Sequence, residues 1–185
     1  MIASVCLLAL MATAAATDIR DQKIYNWTTY SGIVLALALN AAASWLGRTE
    51  IADTGIIQSL VGFGACALIM LICFVLFQIG GGDVKLLAMS GAFLGPELGI
   101  EALLWTFVLG GAVALIILIW KLGAIRLLNR AIQQLMIKMN FGNWDPVTEE
   151  ESKQLNAPLY LAPSALVGVL IVKFSVVDHL QTMLG

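Results

Sequence analysis

At 185 residues, 60% hydrophobic and only 12% charged, with a mean hydropathy of +0.92, the chain is far more apolar than a soluble domain, where about 45–50% of residues are apolar and about 25% charged. That composition requires lipid as solvent, and the length leaves no room for a large soluble module beside a membrane domain. A net charge of −2, with Lys and Arg dispersed rather than clustered, argues against a nucleic-acid partner.

Crossing a hydrocarbon core of ~30 Å takes about 20 apolar residues, with about 17 tolerated. Six apolar segments are predicted, running from Ile2 to Ala16, Tyr30 to Leu46, Ile56 to Ile79, Val84 to Leu94, Ala102 to Trp120 and Leu159 to Val177. The expected fold class is therefore all-α, a polytopic membrane helical bundle of about six transmembrane helices forming one domain over 1–185. The first segment ends in Thr13-Ala14-Ala15-Ala16, which has the small residues of a signal-peptide cleavage site. No Lys or Arg precedes its apolar run, whereas Arg20 and Lys23 follow it, so it reads as a retained span entering from outside. The fourth segment is too short to span alone: it starts below the surface after a glycine break, or the membrane thins around it.

Between the fifth and sixth segments lies the long polar stretch 121–157, with the acidic run Glu149-Glu150-Glu151. Within it Leu127, Leu128, Ala131, Ile132, Leu135, Met136 and Met139 recur at helical spacing among Arg126, Arg130 and Lys138. This predicts an amphipathic loop helix, lying flat on anionic lipid or packed on the inner mouth of the bundle. The cysteines Cys6, Cys66 and Cys73 all fall within apolar runs and form no Cys-x-x-Cys pair, so they read as small buried hydrophobes. The single His179 reads as a surface residue.

Lys and Arg near helix ends set orientation. Arg20, Lys23, Lys85, Lys121, Arg126, Arg130, Lys138 and Lys153 occupy loops of one parity, and Arg48 alone occupies the other. The first parity is expected to be cytoplasmic, with both chain ends outside; Lys173, in the outer half of the last segment, is the exception.

Two carboxylates stand out. Asp18 closes the first segment, and Asp83 follows the third through Gly80-Gly81-Gly82. Helices one and three end on the same side when connections alternate, so both acids belong to one membrane face. Three glycines cost about 1 kcal/mol each in a helix interior, which marks a break rather than a continuation. Each acid alone would read as a helix end or N-cap. Together, on one side and beside exposed backbone, they read as a site. Two aspartates meeting in a partly dehydrated cleft share one proton, so that one activates water while the other polarises a scissile carbonyl. That is aspartyl protease chemistry, and it uses neither metal nor cofactor.

The same residues resemble a known family, the type IV prepilin peptidases among the Gly-x-Gly-Asp intramembrane aspartyl proteases. Asp18-Ile19-Arg20 with Ile24-Tyr25-Asn26 resembles the family's Asp-x-Arg/Lys element and its downstream Ile-Pro-Asn, with Tyr25 in place of the proline. Gly80-Gly81-Gly82-Asp83-Val84-Lys85-Leu86 resembles its Gly-x-Gly-Asp-x-Lys-Leu element. Pro163 and Gly168 echo its last helix, although the usual Pro-Tyr upstream reads Tyr160-Leu161. The paired Cys-x-x-Cys insertion of long members is missing, so the chain resembles the short form found with Tad or Flp pilus systems or with archaeal preflagellins, and methyltransferase activity is not expected.

The resemblance implies cleavage of a short basic leader from a prepilin or pseudopilin precursor, at the cytoplasmic face of the inner membrane. Asp18 and Asp83 would be the catalytic pair. Gly80, Gly81 and Gly82 would shape the cleft, with Lys85 and Arg20 as electrostatic support and Asn26 contacting substrate or capping the second helix. Partners would be the precursor, the lipid bilayer and pilus assembly machinery. Two rival readings remain: a transporter or proton relay using the same carboxylates, and a non-catalytic assembly subunit of a pilus or secretion machine.

Overall fold

The computed structural model describes residues 2–48, 50–52, 54–77, 79–122 and 161–174. Among them are five helices: α1 (Ile2–Asp21), α2 (Asn26–Leu46), α3 (Ile56–Phe77), α4 (Gly81–Leu122) and α5 (Leu161–Lys173). By length and composition α1 to α4 can each cross a membrane, whereas α5 is a shorter apolar helix. The chain divides into two compact units, residues 1–109 with 160–185 and residues 110–159. Everything below concerns the first. The amphipathic helix expected between Leu127 and Met139, the acidic run and His179 lie outside the described residues.

Six spans were expected and four helices meet the length criterion: the expected segments at 84–94 and 102–120 fall in α4, on either side of a kink, and the described part of the last segment, α5, has 13 residues. Within α4 a single residue, Gly95, leaves helical geometry, with φ 81° and ψ −178°. Only glycine occupies that region without strain, and Pro96 follows it. The path folds back there: a Cβ on Gly99 would stand 2.9 Å from the Cα of Gly91, two positions that a straight helix would hold about 12 Å apart. The first arm of α4 explains why its apolar run is too short for lipid. Residues 86–95 are buried without interruption, so this arm faces protein on every side, as a helix apolar all round must.

The surrounding helices each give it a narrow stripe. α1 buries Ala3, Leu7, Met11, Ala14 and Asp18; α2 buries Thr29, Gly32, Ala36, Asn40 and Ala43; α3 buries Ser59, Gly62, Cys66 and Met70. All three stripes follow helical spacing. α1 packs against α5 and α2, and α2 against α3. Lipid is as apolar as leucine, so small residues and polar contacts must hold such helices together. Gly62 and Gly91 show the first means: a Cβ on either would run into the other's carbonyl oxygen. The opposite faces of these helices remain apolar and exposed, including Val34, Leu60, Leu68 and Val75. Trp27 and Trp45, near the two ends of α2, are 84% and 89% exposed. The helical rise puts them about 27 Å apart, close to the hydrocarbon thickness that interfacial tryptophans bracket.

The second means is a buried polar cluster at the α4 reversal. Pro96 has no N–H to return to the Ala92 carbonyl, and the break at Gly95 disturbs the bond to Phe93. Asn40 Nδ2 donates to Ala92 O at 3.2 Å, and Ser59 Oγ donates to the same oxygen at 2.5 Å. Thr54 Oγ1 lies 3.0 Å from Phe93 O and 3.0 Å from Asn40 Oδ1. Side chains from α2, α3 and the linker between them thus satisfy carbonyls that lipid could not.

Asn40→Ala is expected to lower stability by about 1–3 kcal/mol, since it strips a donor from a buried carbonyl cluster, whereas Val34→Ala on the lipid face should change little. Thermal unfolding in detergent compares the two. Gly91→Leu should prevent close contact with α3 and leave little folded protein by size-exclusion chromatography.

Candidate active site

The two motifs are brought together by a short connection. α1 ends where Gln22 turns left-handed, with φ 52°, and its N–H returns to the Asp18 carbonyl. Three residues then lead into α2, whose N-cap is Tyr25 at φ −72° and ψ 131°. That φ is one proline also adopts, so the tyrosine keeps a turn that a proline at this position would give. In this connection Ile24 lies against Gly82, where an added Cβ would stand 3.0 Å from Ile24 Cβ.

α3 ends at Phe77, Ile79 and Gly80 are not helical, and α4 begins at Gly81. The Gly80 carbonyl accepts the N–H groups of Asp83 at 3.1 Å and Val84 at 3.4 Å. Asp83 therefore stands in the first turn of α4, where an acidic side chain meets the positive end of the helix. A Cβ on Gly80 would lie 2.9 Å from Asp83 Oδ2, whereas one on Gly81 would meet only Phe74 Cε2 at 4.0 Å. Gly80 thus keeps space open at the carboxyl group, Gly82 admits the α1–α2 connection, and Gly81 does neither.

Asp18 is 8% exposed, on the buried stripe of α1. Its Oδ2 accepts the N–H of Ala162, in the first turn of α5, at 3.3 Å. Asp83 is half-buried and follows Gly82, which packs against Ile24 in the connection that leaves the Asp18 end of α1. Three helices thus converge on the pair: α1 and α4 supply the carboxyl groups, and α5 presents its N-terminus.

Lys85 and Asn26 also meet. Lys85 Nζ donates to Asn26 Oδ1 at 2.8 Å and lies 4.8 Å from the centre of the Tyr30 ring. Asn26 does not act as a helix cap; its side chain ties the start of α2 to the start of α4. Arg20 is not drawn in. Its side chain is 88% exposed and lies 4.0 Å from Asp21, whose Oδ2 also accepts the Tyr25 hydroxyl at 3.2 Å. An apolar groove with a volume of about 660 Å³ runs along α2 from Asn26 and Trp27 past Tyr30 to Ala38.

Of the echo in the last helix, Pro163 lies in the first turn of α5, and Gly168 faces α4, where an added Cβ would stand 2.9 Å from Ala102 O. Two contributors escaped the reading of the sequence. Tyr30 was detectable as an aromatic one helical turn beyond Asn26. Ala162 carries no signal at all, because it acts through its backbone.

Neither a curated protein nor a solved structure matches this chain. A family model does, that of the type IV leader peptidase family, over residues 5–115. The matched stretch takes in Asp18, the α1–α2 connection, the glycine break and Asp83, and accounts for more than half of the chain. This membrane protein belongs to the type IV leader peptidase family.

Proposed function

We propose that the chain is an aspartyl endopeptidase that removes the short basic leader from type IV prepilins of the Flp or Tad kind, with Asp18 and Asp83 as its catalytic pair. The observation that carries this reading is that two helix ends, each bearing an aspartate, come together beside an opened glycine backbone, where Gly82 packs against Ile24 of the connection that follows α1. Two carboxyl groups that meet in such a cleft hold one proton between them, which provides a general base and a general acid in one place. Family membership supports peptide hydrolysis as the reaction.

The placement also suits a substrate that is half leader and half apolar helix. Both acids stand at helix ends, near the level of Trp27 rather than midway along a span. The groove along α2 starts at Asn26, beside the Lys85 contact, and gives an apolar helix a path that leads its polar end to the pair. The Lys and Arg bias puts this end on the cytoplasmic side of the inner membrane, where leaders are presented and pilus assembly machinery receives the product. Neither a transporter nor an assembly subunit needs two acids meeting at one interface.

Asp18→Asn and Asp83→Asn are each expected to reduce leader cleavage by about 10²–10⁴-fold while the protein still inserts. The assay incubates purified protein with a prepilin precursor and sequences the new N-terminus of the product. Full cleavage by either variant would refute the assignment.

The glycines should separate by position. Gly81→Ala should keep near-normal activity, Gly80→Ala should lose much of kcat by crowding Asp83, and Gly82→Ala should suffer through the displaced Ile24. Equal effects at all three positions would show that only backbone flexibility matters there.

A further inference from the structure

The two carboxyl groups differ in what holds them. Each stands at a helix N-terminus: Asp83 in the first turn of its own helix, Asp18 against the first turn of α5. Only Asp18 receives a direct hydrogen bond there, from the Ala162 N–H at 3.3 Å. Among the described residues no donor reaches the carboxyl group of Asp83, whose Oδ2 instead faces the space left by Gly80. An N–H donor at the positive end of a helix stabilises a carboxylate more than a carboxylic acid. In a cleft with one proton for two acids, this difference decides where the proton resides.

Resting on the peptidase reading above, we infer that α5 assigns the roles within the pair: the Ala162 N–H holds Asp18 as the carboxylate that deprotonates the attacking water, and Asp83 carries the shared proton to the scissile carbonyl. Ala162 is then a positioning residue acting through its backbone. In the forward step the water oxygen bonds to the carbonyl carbon, its proton passes to Asp18, and the proton of Asp83 passes to the carbonyl oxygen, giving a neutral gem-diol. In the second step Asp18 returns its proton to the amide nitrogen, the C–N bond breaks, and a diol hydroxyl proton restores Asp83. One water is consumed, and the enzyme ends as it began.

The groups around Asp18 leave this assignment clear. On α4 the acidic side chain of the first turn is Asp83, the other member of the pair. Along α5 the only titratable side chain is Lys173, at the far end. On α1 and its connection, Arg20, Asp21 and Tyr25 engage one another at the exposed surface, and Lys23 is exposed. Lys85 on α4 is held by Asn26.

Ala162→Pro removes the donor with no change of charge, at a first-turn position that tolerates a missing N–H. Ala162→Gly keeps the donor. The proline variant should lose about 10–100-fold in kcat with little change in KM, and the acid limb of its pH–rate profile should move to higher pH, while the glycine variant keeps the wild-type limb. An unmoved acid limb in the proline variant would overturn the assignment.

Because Ala162 is fully buried and a ring could disturb packing, a second measurement uses the wild-type protein. Alanine-selective ¹⁵N labelling in detergent, with the Ala162 amide identified by its loss in the glycine variant, should show that amide proton shifting through the acid limb. A shift confined to the basic limb, or none, would sink the role assignment. Cleavage retained by Asp18→Asn or Asp83→Asn would sink the peptidase reading itself, so the two failures are distinguishable.

Discussion

In lipid, every backbone N–H and C=O must find its partner inside the protein, and the first arm of α4 violates helical continuity at both of its ends. It begins after the break that precedes Gly81 and ends at the reversal of Gly95 and Pro96. The protein resolves the two breaks in opposite ways. At the reversal, Asn40, Ser59 and Thr54 bring side-chain donors to the carbonyls of Ala92 and Phe93. At the beginning, the Gly80 carbonyl is taken up by the first turn of α4, and the carboxyl group of Asp83 rather than a closed polar cluster stands beside it. One end of the arm is sealed and the other is chemically available.

The sealed end makes the available end precise. Because residues 86–95 are enclosed by protein, the arm cannot slide toward lipid, and the Gly62–Gly91 contact fixes its depth against α3. Asp83 is then delivered to a set position by a rigid element, while Asp18 arrives on the buried stripe of α1. Lys85 adds a cross-tie: by engaging Asn26 and Tyr30 it couples the first turn of α4 to the first turn of α2. The proposed catalytic pair, built on helices held in this manner, is better defined than one carried on loops.

The position of α5 gives the last helix more than a packing role. Gly168 lets it approach α4 closely, and its first turn reaches Asp18. The N-terminus of a helix is a natural place to hold a negative charge, and here its first turn meets an acidic side chain of the protein rather than a bound anion.

Much of this was legible in the residues themselves. The hydropathy of the segments determined a helical membrane bundle, because no other backbone arrangement of these lengths satisfies itself in lipid. Gly80-Gly81-Gly82 announced a break, and counting alternating helices put Asp18 and Asp83 on one face. The resemblance carried by the two motifs pointed to the family that the matching model shows. The gap between the fourth and fifth segments fell at the break of Gly95 and Pro96; what one-dimensional periodicity could not express was how sharply the chain folds back there, since a single backbone rotation leaves no mark on hydropathy. Nor could it separate the motif's members: Arg20 and Lys85 carry the same charge and flank equivalent aspartates, yet one lies at the exposed surface and the other is clasped by Asn26. The Ala162 contact was hidden most completely. Any residue but proline offers a backbone N–H, so only the packing of α5 against α1 decided that this one meets Asp18.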